Sequence, residues 1–127
     1  MYGLGLHVLM EFHDCEALLL DDSMYLEELM KAAAIASEAT IVKSVFHQFS
    51  PQGVTGVVVI AESHLAIHTW PEHGYAAVDF FTCNSEIPYT NAFELIGEKL
   101  KSKRNSFETI TRGEIKPVGD QHELSKY

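Results

Sequence analysis

Three residues able to make or break bonds fall close together in this chain: Ser63, His68 and Cys83. They lie in the run Ala61-Glu62-Ser63-His64-Leu65-Ala66-Ile67-His68-Thr69-Trp70-Pro71-Glu72-His73-Gly74-Tyr75-Ala76-Ala77-Val78-Asp79-Phe80-Phe81-Thr82-Cys83. A hydroxyl near an imidazole is a candidate nucleophile, and a thiol is a candidate proton carrier. Taken singly, each has an ordinary explanation. Ser63 suits a turn, His68 a hydrogen-bonded place in a sheet, and Cys83 a small buried apolar position. Trp70 and Phe80 suit a core. The combination on two adjoining strands, whose ends can meet in space, is what suggests a site.

Other constellations fit poorly. A serine hydrolase of the α/β type places its nucleophile on a G-x-S-x-G elbow, and the chain has none. His64 and His68 stand four apart, which on a strand separates them by roughly 13 Å, too far for one metal ion. There is no HExxH and no glycine-rich phosphate loop, so no metal is expected.

The elements that must position these residues can be read from the pattern. Residues 4–12 are rich in apolar side chains and bounded by glycine before and His13-Asp14 after, which predicts a strand. Asp21-Asp22-Ser23 offers an N-cap, and Leu26, Leu29, Met30, Ala33 and Ala34 recur at helical spacing, predicting an amphipathic helix over 24–37. Residues 40–49 are β-branched and aromatic and predict a strand, broken by Pro51-Gln52-Gly53. Residues 54–61 are almost continuously β-branched, which predicts a strand buried on both faces. Strands over 65–70 and 75–83 follow, joined by Pro71-Glu72-His73-Gly74. Thr90 or Asn91 can cap a second helix carrying Ala92, Phe93, Ile96 and Leu100. A short last strand is expected over 107–110, and the tail from Pro117 reads as polar and loose. The order β-α-β-β-β-β-α-β predicts the α+β class, a mainly antiparallel sheet with two helices on one face. The other face needs a cover, and a second copy of the chain is the simplest candidate.

Composition bounds the partners. The chain has 127 residues, the size of one domain, with 46% apolar and 21% charged residues. Its formal net charge is -9 with only nine Lys and Arg, which argues against nucleic acid. Lys99, Lys101, Lys103 and Arg104 cluster at a helix end, where they complement the helix dipole. No run approaches the ~18 apolar residues that span a membrane. The N-terminus lacks the pattern of a signal peptide. Cys15 and Cys83 form no CxxC pair and read as free thiols of a cytoplasmic protein.

With those readings in place, the chain resembles the small prokaryotic S-adenosylmethionine decarboxylases. The resemblance is carried by Glu62-Ser63-His64, Ile67-His68-Thr69-Trp70-Pro71-Glu72, Gly74-Tyr75-Ala76-Ala77-Val78-Asp79 and Phe81-Thr82-Cys83. It extends to Leu4-Gly5 with His7, Ala39-Thr40-Ile41-Val42, Phe46-His47 with Phe49, and Gly53-Val54 with Gly56-Val57-Val58-Val59-Ile60. It implies a precursor that cleaves itself between Glu62 and Ser63, giving chains 1–62 and 63–127. Ser63 would become a pyruvoyl group, the only cofactor, on which the substrate amine condenses as a Schiff base. His68 matches the processing base, and Thr55 stands where the family usually has a serine that assists processing. Cys83 matches the proton donor of decarboxylation. Phe49 would stack on adenine, Glu72 would bind the ribose hydroxyls, and Trp70 would shape the pocket. The implied assembly is a homodimer, an α/β/β/α sandwich with the site near the interface. The implied product is decarboxylated S-adenosylmethionine, a precursor of spermidine.

Two departures stand out. The residue after Cys83 is Asn84 rather than glycine, and asparagine can take up a left-handed turn in its place. The usual hydroxyl residue between Leu65 and Ile67 is Ala66. Alternatives remain: an arginine or ornithine decarboxylase with the same processing machinery, or a non-catalytic partner subunit.

Overall fold

Alternating side chains build a six-stranded, wholly antiparallel sheet in this chain. The computed structural model describes residues 2–115. Strand β1 (Tyr2–His13) is followed by the single-turn α1 (Ala17–Leu20) and by α2 (Ser23–Ala36). Strands β2 (Ile41–Gln48), β3 (Val54–Ile60) and β4 (Ser63–Trp70) come next, and a 3-10 turn (Pro71–His73) leads into β5 (Tyr75–Thr82). Helix α3 (Tyr89–Lys99) and strand β6 (Arg104–Ile115) follow. The strands lie in the order β2-β3-β4-β5-β1-β6.

The pairing register assigns every strand residue to a face. Val8, Met10 and Phe12 of β1 share one face with Val54, Val58 and Ile60 of β3, Leu65 and Ile67 of β4, and Ala76, Val78 and Phe80 of β5. All are essentially inaccessible and pack with Leu26, Met30 and Ala33 of α2 and Ala92 and Ile96 of α3. Burying each large side chain contributes roughly 1.5–3 kcal/mol. The opposite face carries three cross-sheet rows: His47-Thr55-His68-Ala77-Glu11-Ser106, Val45-Val57-Ala66-Asp79-Leu9-Glu108 and Lys43-Val59-His64-Phe81-His7-Ile110. That face stays open. Val45, Val59 and Ile110 are 63%, 39% and 45% exposed. The β-branched run expected to be buried on both faces is therefore buried on one only, in this single chain.

Local chemistry explains where the boundaries fall. Asp22 caps α2, its side chain accepting from the Tyr25 N–H at 3.1 Å. The expected Thr90 or Asn91 cap of α3 is not found: the helix begins at Tyr89 after Pro88, with no side-chain cap of its own. Instead the two helices cap each other. Asn91 Nδ2 donates to the Ala36 carbonyl at 3.0 Å, and Ser37 Oγ accepts from the Ala92 N–H at 3.1 Å. Strand β6 runs far beyond the expected 107–110, because it pairs with β1 along its whole length while almost all of its side chains are exposed. An edge strand of this kind carries no apolar alternation. Of the basic cluster, Lys101 pairs with Glu16 at 3.2 Å and Arg104 with Asp14 at 3.8 Å. The tail expected from Pro117 lies outside the described residues.

Candidate active site

Strand β4 has chemistry at both of its ends. At its start, the Ile60–Ser63 pair closes a hairpin whose two-residue turn is Ala61-Glu62. Two-residue hairpins favour Gly, Asn or Asp, which take positive φ cheaply; this turn has none of them. The positive φ falls on Ser63, at 150°, a region L residues rarely adopt and one that costs on the order of 1–3 kcal/mol. The other non-glycine positive φ values among the described residues, at Asp14, Glu38 and Lys101, lie between 56° and 62° in the ordinary left-handed basin.

Three hydrogen bonds, two to Thr40 and one to Cys83, grip this turn. The Ala61 N–H donates to the Thr40 carbonyl at 2.8 Å, and the Thr40 N–H to Glu62 Oε1 at 3.2 Å. The Cys83 N–H donates to the Glu62 carbonyl at 2.9 Å. That last contact polarises the carbonyl preceding Ser63 and would hold negative charge developing on its oxygen. It follows from the register, because Ser63 pairs with Thr82, the last residue of β5. The Cys83 side chain is exposed rather than buried. Asn84 does not take up the left-handed conformation expected of it. Side-chain acceptors hold the turn instead: the Asn84 N–H donates to Thr82 Oγ1 at 2.9 Å, and the Glu86 N–H to Asn84 Oδ1 at 3.0 Å.

Near its other end, β4 presents His68 directly opposite Thr55 of β3, with Thr55 Oγ1 and His68 Nδ1 3.1 Å apart. This pair opens into a cavity of about 240 Å³, lined also by Phe49, Gln52, Trp70 and Glu72. Phe49 comes from the loop after β2, and Glu72 from the 3-10 turn after β4. Trp70 is 41% exposed, so it is a wall of this cavity and not core; Phe80 is core. Trp70 leans on Tyr75, with ring centroids 5.4 Å apart. Tyr75 in turn donates to Glu11 Oε2 at 2.7 Å; burial first, then the Glu11 carboxylate, push its hydroxyl pKa up to about 12.

The structure thus brings together Glu62, Ser63 and Cys83 in one group and Phe49, Thr55, His68, Trp70 and Glu72 in another. It does not bring the two groups together. Ser63 and His68 are five positions apart on one strand, about 16 Å at strand rise. Residue types could not reveal the Cys83 N–H, which is backbone, or Gln52, which has an unremarkable side chain. Between the two groups the open face carries His64 and His7 on either side of Phe81. His7 Nε2 is buried without a hydrogen-bond partner, 3.8 Å from Asp79 Oδ1. Among the described residues, no three His, Cys, Asp or Glu side chains converge as metal ligands would, and no helix is long and apolar enough to cross a membrane.

The chain is similar to known proteins over most of its length. Residues 6–113 match the model of the S-adenosylmethionine decarboxylase family, and the chain belongs to that family. A relative from Thermotoga maritima, an S-adenosylmethionine decarboxylase proenzyme, is 50% identical over 119 residues, covering 94% of this chain and 92% of its own. One of the same name from Clostridium tetani is 49% identical over 113 residues, covering 89% and 90%. Among solved structures, the adenosylmethionine decarboxylase of Aquifex aeolicus superposes with a TM-score of 0.83 at 37% identity, covering 91% of this chain and 96% of that one.

Proposed function

We propose that this chain is the precursor of a pyruvoyl-dependent S-adenosylmethionine decarboxylase that cuts itself between Glu62 and Ser63. The observation that carries the reading is the backbone at that junction: Ser63 at φ 150° beside a Glu62 carbonyl held by the Cys83 N–H. Strain and a polarised carbonyl are what an uncatalysed amide lacks. Ser63 Oγ adds to the Glu62 carbonyl carbon, the amide C–N bond breaks, and the freed amine takes a proton, leaving an ester. Removal of the Ser63 α-proton then expels the Glu62 carboxylate and leaves a dehydroalanine. Its tautomer adds water and loses ammonia to give the pyruvoyl group.

These steps need a base, and His68 fits that role. In the tautomer whose Nδ1–H donates to Thr55 Oγ1, Nε2 keeps a lone pair to accept a proton. The 16 Å separation is resolved by a homodimer. The two half-sites lie toward opposite ends of one strand beside an open, partly apolar face. A two-fold axis between two such faces, crossing β4 near its middle, would bring the His68 end of one copy to the Ser63 end of the other. The cavity of one chain, about 240 Å³, is also below the ~300–1,000 Å³ of most small-molecule sites, as half of a shared site would be.

The pyruvoyl carbonyl supplies an electron sink for loss of carbon dioxide from an amino acid. The chain's own residues do the rest. Phe49 and Trp70 offer flat faces to adenine and to a sulfonium cation, and Glu72 offers acceptors to the ribose hydroxyls. Cys83 returns a proton to the α-carbon of the product. Arginine and ornithine have neither ring nor ribose to use those groups. The reading also carries a cytoplasmic enzyme of spermidine synthesis.

The test is a mass spectrum of purified protein together with carbon dioxide release from S-adenosylmethionine, arginine and ornithine. We expect two chains, 1–62 and a ketone-bearing 63–127, with turnover of S-adenosylmethionine alone. Ser63→Ala should remain one chain of 14.2 kDa with no turnover. An intact wild-type chain would sink the proposal.

A further inference from the structure

Phe49 reaches the cavity from a five-residue loop, 49–53, in which only Gly53 is buried. The loop is closed by the Phe49 N–H, which donates to the Gly53 carbonyl at 2.8 Å. Gly53 has φ +101°, and a Cβ there would stand 3.2 Å from the Thr69 carbonyl, so its bare backbone sits against the sheet. The Gly53 N–H donates to Asp21 Oδ1 at 2.8 Å. The same oxygen accepts from Gln48 Nε2, also at 2.8 Å. Gln48 Nε2 reaches the Gly53 carbonyl at 3.2 Å, and its Oε1 accepts from the Ser23 N–H at 3.3 Å. One carboxylate therefore grips both ends of the loop that carries Phe49.

Asp21 is itself held firmly. The preceding carbonyl, of Leu20, accepts from the buried Thr69 Oγ1 at 2.7 Å, and the following residue, Asp22, caps α2. Because Asp22 does the capping, the Asp21 carboxylate is spare for the helix and committed to the loop. We propose that Asp21, acting with Gln48, is a positioning residue for the substrate: it fixes where Phe49 stands as a cavity wall, and so sets affinity without touching the reacting atoms. This rests on the reading of the Phe49, His68 and Glu72 cavity as the nucleoside end of the site.

The experiment compares Asp21→Ala, Asp21→Asn, Phe49→Ala and the double variant Asp21→Ala with Phe49→Ala. Cleavage, kcat and KM are measured. So is binding of 5′-methylthioadenosine, read by fluorescence of Trp70, the chain's single tryptophan and a wall of the same cavity. We expect Asp21→Ala to cleave fully and keep kcat within about twofold, while KM and the dissociation constant rise about tenfold. Asp21→Asn keeps an acceptor oxygen and should restore both constants. In the Phe49→Ala background, Asp21→Ala should add nothing. A rise with Phe49→Ala but none with Asp21→Ala overturns this inference alone. No rise with Phe49→Ala removes the cavity reading, and this inference with it. Parallel loss of cleavage, kcat and KM that Asp21→Asn does not rescue means a purely structural role and also overturns it. If Asp21→Ala fails to accumulate, Gln48→Ala is measured in the same way; an unchanged KM there is equally fatal.

Discussion

The two ends of β4 differ in kind. At Ser63 the chemistry resides in the backbone: a φ of 150°, a turn without glycine, and a carbonyl held by an amide. At His68 it resides in side chains: a hydroxyl–imidazole pair, an aromatic wall and a carboxylate around a cavity. The first end has a bond disposed to break, but the imidazole that faces a hydroxyl, His68, lies at the other end. The second has a base and a binding surface but nothing for them to act on. About 16 Å of regular strand separates them, and the sheet is too stiff to close that gap. Neither end is a complete site by itself, and the proposed homodimer is the arrangement that would join them.

The largest effect should come from separating the two ends onto different chains. Ser63→Ala retains a working His68 end, and His68→Ala retains a working Ser63 end. Each expressed alone should stay intact, or in the second case cleave at least ~10²-fold more slowly, the usual worth of a general base. Expressed together, with tags that distinguish them by mass, the His68→Ala chain should be cut and the Ser63→Ala chain should not. If the mixture stays as uncut as its parts, the base acts within its own chain and the two-ended picture is wrong.

A smaller effect should separate backbone from side chain at Cys83. Cys83→Ala keeps the N–H that holds the Glu62 carbonyl and removes only the thiol. Cleavage should therefore proceed as in the parent, while decarboxylation falls about 10²-fold for want of a positioned acid. Misdirected protonation should also inactivate the variant within fewer turnovers, seen as an alanine in place of the keto terminus in the mass spectrum. Equal impairment of cleavage and turnover would mean that the thiol itself serves both.

The same contrast explains what could be read from the sequence. At the His68 end only His68 drew notice from its residue type; Thr55, Phe49, Trp70 and Glu72 came from the resemblance, and all five line one cavity. The sheet was legible because β-branched and aromatic runs, bounded by turn residues, stand between helices of clear periodicity. At the Ser63 end a hydroxyl and a thiol on adjoining strands drew notice to Ser63 and Cys83, but the cleavage came from the resemblance, since strain and a backbone donor leave no mark on residue type. The strand β6 was underestimated because an edge strand exposed on both faces has no apolar period. The α3 cap was misassigned because its acceptor, Ser37, belongs to another helix. The gap between Ser63 and His68 could not be seen either: adjoining strands bring their ends together, but two residues on one strand stay apart.

The smallest predicted effect tests the open face at the Ser63 end. His64 lies there beside Phe81, and burial first, then the neighbouring His7, hold its pKa below the ordinary 6.5, partly offset by Asp79. Its imidazolium is thus less favourable in the folded protein than in the unfolded chain. As pH falls from 7 through 6.5, the unfolded chain takes up a proton that the folded one refuses. Stability present above that pH is therefore lost on acidification. His64→Asn removes this contribution, so its Tm should fall less than that of the parent between pH 7 and about pH 5.5, by about a degree or two. A second copy lying over this face would bury His64 further, so the difference should widen with protein concentration. Identical pH profiles for parent and variant would assign the acid sensitivity to other groups, and a concentration-independent difference would argue that the face at this end stays open in solution.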